Sequence, residues 1–176
     1  MNPLILYHIR DHLNAATDRT GPWPIASGIE WNVIDPRLGN LRERIYWNRG
    51  GVGVIWREGS RDIRRTAGGI EATGLINLTA YFPSMEQFAF EGEYLLLEEA
   101  LYHTLHNLPP EHGLQFAHLV SIQDMTLQMG DDQYAEVLVL AAQAEARYLL
   151  GSPEESDPRR IRDVIIELVH TEVKRK

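Results

Sequence analysis

The chain has 176 residues, of which 44% are hydrophobic and 24% charged, with a net charge of −8 and no cysteine. That composition fits one globular domain with room for a core, and the missing thiols exclude disulfide frameworks, thiolate metal sites and cysteine nucleophiles. No apolar run reaches the ~20 residues of a membrane-crossing helix, and Met1-Asn2-Pro3-Leu4 lacks the basic start of a signal peptide, so none is expected.

Asn2 as N-cap and Pro3 at the first helical position open an amphipathic helix predicted over 3–16, with Leu6, Ile9, Leu13 and Ala16 on one stripe. His8 and His12 lie four apart on it. Without an acidic partner at helical metal-site spacing, they read as packing or surface histidines. Gly21-Pro22-Trp23-Pro24 is a rigid turn, and Ile29, Trp31 and Val33 alternate as a short strand. The rest of 17–50 is irregular, with turns at Asp35-Pro36 and Leu38-Gly39-Asn40. Trp23, Trp31, Trp47 and Trp56 predict aromatic packing beneath a long loop, a partner-binding surface being the other reading.

Gly50-Gly51-Val52-Gly53 invites comparison with a phosphate-cradling loop. Such a loop runs from strand to helix and carries a lysine, whereas these glycines lead into a strand, 52–56, and no lysine is present. Residues 57–69 read as a polar loop or ribbon carrying Arg57, Arg61, Arg64 and Arg65, ending at Gly68-Gly69. A strand follows over 74–82, with Ile76, Leu78, Ala80 and Phe82 on one face and Leu75, Asn77, Thr79 and Tyr81 on the other, and Pro83 stops it. Ser84 and Gln87 have capping-box spacing. They precede a helix predicted to run to Leu108, with a break near Gly92 and a stripe of Tyr94, Leu97, Leu101, Leu105 and Leu108. Glu99, His103 and His106 on that helix match neither the His-Glu-x-x-His zinc pattern nor a paired di-iron motif, so no metal or other cofactor is expected.

Residues 119–148 read as a long β-hairpin. Met125, Leu127 and Met129 alternate with polar neighbours, Gly130-Asp131-Asp132-Gln133 makes the turn, and Val137-Leu138-Val139-Leu140 begins the return. The alanine-rich return arm also fits a helix ending at Gly151. Its β-branched start and the facing strand favour the strand. After a polar linker, Asp157-Pro158 opens a last helix with Ile161, Val164, Ile165, Leu168 and Val173 along one face. The expected plan is α+β: a mainly antiparallel sheet with a long C-terminal hairpin, helices on one face and an extra C-terminal helix. Its expected division is a domain over 1–151, with 17–50 as an irregular insertion, and a linker with helix over 152–176.

Charge is unevenly spread. Residues 1–65 carry ten basic and seven acidic side chains, a net +3; residues 66–156 carry Arg147 against fourteen acids, a net −13; residues 157–176 have a net +2. An acidic body is the reverse of the basic face a sequence-specific DNA binder needs; it reads as solvated acidic surface or, in the sharper reading, as self-assembly with the arginine-rich part of one copy meeting the acidic part of the next. No nucleophilic or acid–base constellation stands out.

Several stretches together resemble the tail-terminator family of long-tailed, lambda-type bacteriophages. They are Gly51-Val52-Gly53-Val54-Ile55-Trp56 before a charged segment, Gly74-Leu75-Ile76-Asn77-Leu78-Thr79-Ala80-Tyr81-Phe82-Pro83, the leucine-rich helix 94–108, and the hairpin with its Gly-Asp-Asp turn. The similarity covers roughly 52–148 plus the N-terminal helix; segment 17–50 and the helix from Asp157 depart from it. It implies a non-enzymatic virion protein in the tail-neck region, assembled in the host cytoplasm. Such a protein forms a hexameric ring that caps the tail tube protein and offers a face to the head-closure or connector protein. DNA would pass through the lumen without sequence-specific contact, and no membrane is involved. The candidate interface residues are Arg57, Arg61, Arg64 and Arg65, Asp131 and Asp132 in the acidic turn, and Ile161, Val164, Ile165 and Leu168 of the last helix. Another head–tail joining ring is the alternative, and a small enzyme a more distant one.

Overall fold

The computed structural model describes residues 1–34, 50–66, 69–82, 91–125, 127–128 and 136–150, with backbone alone at 59–61, 91, 127–128 and 136–137. The order is α1 (Pro3–Thr17), β1 (Ile29–Val33), β2 (Gly51–Thr66), β3 (Gly69–Phe82), α2 (Glu91–His106), β4 (Leu114–Asp124), β5 (Leu127–Gln128) and β6 (Glu136–Leu150). The sheet runs β1-β2-β3-β6-β4, with β5 also on β6. β1 is parallel to β2 and every other pair is antiparallel. The fold is thus α+β, as expected.

α1 starts where its sequence says it should. The Asn2 side chain accepts from the Leu4 N–H at 3.1 Å, and Pro3 spends no donor at the first position. Its stripe, with Ile5, Ile9 and Leu13 fully buried, packs on the sheet; each such side chain contributes about 1.5–3 kcal/mol. α2 brings Leu97, Leu101 and Leu105 into the same core. The expected helix from Ser84 is observed from Glu91, residues 83–90 lying outside those described, and it stops at His106, short of Leu108.

On the sheet, Ile76, Leu78, Ala80 and Phe82 of β3 face the helices together with Leu138, Leu140, Ala142, Ala144, Ala146 and Tyr148 of β6. The return arm is a strand, and the hairpin is real. β6 lies between β3 and β4, so the backbone groups along most of its length are paired on both sides. That satisfaction outweighs the helix propensity of its alanines. The opposite face carries Glu71, Thr73, Asn77, Gln143, Glu145 and Arg147. It is not uniformly polar, since Val52, Val54 and Val139 are buried there.

Three expectations are corrected. The segment read as a polar loop or ribbon is strand where it is described: β2 continues to Thr66, pairing Arg61 with Gly74 and Thr66 with Gly69, with an irregularity between Arg57 and Arg61. Its charges mark a strand edge, where they discourage indiscriminate pairing. The three described tryptophans do not form one core set. Trp31 is buried, Trp23 and Trp56 are half-buried, and Trp47 lies outside the described residues. Met125, expected on the buried side of the hairpin, is 48% exposed.

Candidate assembly surface

β2 is bonded on one edge to β3 over Val52 to Arg57 and Arg61 to Thr66, while β1 covers its other edge over Gly51 to Ile55. From Arg57 to Thr66 that second edge has no strand partner among the described residues. The alternation of β2 then sorts its charges. Arg57, Arg61 and Arg65 share the parity of Ile76, Gly74 and Ile70, whereas Asp62 and Arg64 share that of Thr73 and Glu71. Arg57, Arg64 and Arg65 are exposed; Arg61 is fixed in register, its side chain outside those described. Ile63 and Ile70, 54% and 45% exposed, mark the same end of the sheet as partly apolar.

Arg64 leads into a shallow cleft of about 210 Å³ lined by Asp62, Arg64, Glu71, Thr73, Phe116, Glu145 and Arg147. Its centre is the diagonal pair of Glu71 and Arg147 across β3 and β6, the geometry in which long side chains on neighbouring strands meet. Arg147 donates to Glu71 Oε2 through both Nε and an Nη, and Gln115 donates to the other oxygen at 3.3 Å. These bonds, Arg147 first, hold the Glu71 carboxyl below its ordinary range. Nearby, the Gln143 amide donates to Glu58 at 2.9 Å and to Asn77 at 3.2 Å. The surface is a lattice of paired charges and amides, suited to a polar contact with another protein. Its charges are mixed in sign and do not form a one-sign basic field.

The sequence missed the Glu71–Arg147 pair. Its one signal was that Arg147 is the lone base among residues 66–156, and only the strand register shows which acid it meets. On the helix that carries Glu99, His103 stacks on Trp23 at 5.2 Å and His106 on Tyr102 at 5.9 Å, both near parallel. His8 is buried against the turn before β4 and contacts His12 edge-on at 4.6 Å. Asp131, Asp132, Ile161, Val164, Ile165 and Leu168 lie outside the described residues. No helix among the described residues is long and apolar enough to cross a membrane.

No family model matches the chain, and no curated protein matches it. Among solved structures it is similar to a chain of the virion of a native gene transfer agent particle, with 12% identity and a TM-score of 0.47, covering 80% of this chain and 90% of that one.

Proposed function

We propose that this chain is a virion structural protein of the tail-terminator type, a ring of six copies that caps a phage tail tube, ends its polymerisation and presents a face to the head connector. The observation that carries the reading is the free edge of β2. Ten residues of strand, with exposed Arg57, Arg64 and Arg65, lack a strand partner there among the described residues. The same chain holds fourteen acids against one arginine over 66–156. Unlike patches on one subunit close into a ring when each meets the other on the next copy. The resemblance in the strand, helix and hairpin segments supplies the tail-terminator assignment. An acidic wall suits a lumen through which DNA slides, because it does not hold the phosphate backbone. The reading assigns no catalytic step.

The test is the triple variant Arg61→Glu, Arg64→Glu, Arg65→Glu. At a buried interface each broken ion pair costs about 3–5 kcal/mol, whereas exposed pairs cost under ~1 kcal/mol. The variant is therefore expected to keep the monomer's circular dichroism spectrum and to lose ring formation on tail tubes, scored by electron microscopy. Rings that assemble normally from the variant would refute the edge as the contact.

A further inference from the structure

We infer that His8, Glu111 and His112 form a binding site for a zinc-type transition-metal dication, clasping α1 to the turn that precedes β4. One nitrogen from each histidine and one carboxylate oxygen lie within 4.8 Å of one another, the one such grouping among the described residues. His8 Nδ1 is 3.5 Å from Glu111 Oε2, and His112 Nε2 is 4.0 Å from the same oxygen. Donors around a tetrahedral zinc with bonds of about 2.0–2.1 Å stand roughly 3.4 Å apart, so the set needs only a small contraction. Glu111 and His112 are exposed and can supply it, while His8 is buried and fixed.

The tautomer of His8 is set by its other nitrogen. Nε2 lies 3.0 Å from the Pro109 carbonyl oxygen, which can only accept, so Nε2 carries the hydrogen. In the neutral ring Nδ1 then presents its lone pair toward a carboxylate. Two electron-rich atoms facing each other call for a cation between them, and a ligand histidine whose far N–H is held by a backbone carbonyl is the usual support of a metal site. The turn is also built to aim His112. The Leu114 N–H donates to the Glu111 carbonyl at 2.9 Å, and the two central residues, His112 and Gly113, have φ of 54° and 84°. Positive φ at both positions defines a type I′ turn, in which glycine or asparagine sits most easily at the place His112 occupies. The turn is pinned from beyond by the Leu149 N–H donating to the Gly113 carbonyl at 2.8 Å.

Two imidazoles and one carboxylate select zinc, nickel or copper over magnesium and calcium, which want oxygen shells. Three protein donors leave one position open to water on the exposed side of Glu111 and His112. The alternative occupant of the gap is a proton on Nδ1, making an imidazolium–carboxylate pair.

Titrating tag-free full-length protein with Zn²⁺ near neutral pH, by calorimetry and thermal melts, separates the two. The metal site predicts one ion per chain, a raised melting temperature, no competition from a large excess of Mg²⁺, and affinity reduced by about tenfold or more in both Glu111→Gln and His112→Ala. Both changes lie at exposed positions, and circular dichroism checks that the variants fold. Absence of Zn²⁺ binding, or binding that is unchanged in both Glu111→Gln and His112→Ala, would overturn the site. The second result would move the ion to histidines elsewhere, such as His103 and His106.

Discussion

Gly51 and Gly53 show how a single missing Cβ organises the N-terminal edge of the sheet. In parallel pairing with β1, Gly53 stands opposite Trp31, and a Cβ built on it would come within 2.2 Å of the indole; on Gly51 it would meet the Phe82 ring at 2.3 Å. Glycine weakens a strand unless something packs over its bare backbone, and here two aromatic rings do so. The sequence placed these glycines at the start of a strand, yet could not say why glycines stand there. The answer comes from residues 22 and 31 positions away in the chain. Gly53→Ala is expected to destabilise the protein by about 1–3 kcal/mol through overpacking. In denaturant titrations the loss should shrink in a Trp31→Leu background, giving a coupling of about 0.5–3 kcal/mol. Strictly additive costs would show that the indole is not what the new methyl meets.

At the scale of elements, α1, β3 and α2 were legible because each carries a long stripe of one period: Ile9 and Leu13, Ile76 to Phe82, Leu97 to Leu105. β2 was legible only in its apolar half. Its charged half resembles a loop by composition, and strand pairing with 69–74 overrides composition there. β1 raises another question, since it is an edge strand of five residues. Asn14 of α1 answers it. Its Oδ1 accepts from the Trp31 N–H at 2.8 Å and its Nδ2 donates to the Trp31 carbonyl at 3.2 Å, so one side-chain amide imitates a neighbouring strand and locks helix to sheet. Asn14→Ala leaves both backbone groups without that partner, an expected loss of about 1–3 kcal/mol. Asn14→Asp keeps the acceptor and loses the donor, so it should fall between wild type and alanine. Chemical denaturation orders the three, and an alanine variant as stable as wild type would mean that the amide bridge contributes nothing net.

For the whole molecule, the charge separation and the α+β plan were open to a reader of the sequence, but the joining of distant residues was not. His8 lies more than a hundred positions from Glu111 and His112, and Glu71 lies 76 from Arg147; only folding supplies such neighbours. The buried cluster runs from Ile5 to Tyr148, and the core face of the sheet already carries both described helices. The sequence of 152–176 adds a polar linker and an apolar stripe of Ile161, Val164, Ile165 and Leu168. Such a stripe does not stay in water without cost, since each fully buried aliphatic is worth about 1.5–3 kcal/mol. We propose that a neighbouring subunit or the adjoining neck protein covers it. A chain ending at residue 151 is then expected to melt in one cooperative transition and to lose attachment to tail tubes or the neck, measured by calorimetry and co-sedimentation. An insoluble product, or one with helical circular dichroism and no cooperative melt, would assign those residues to the core and remove them from the interface.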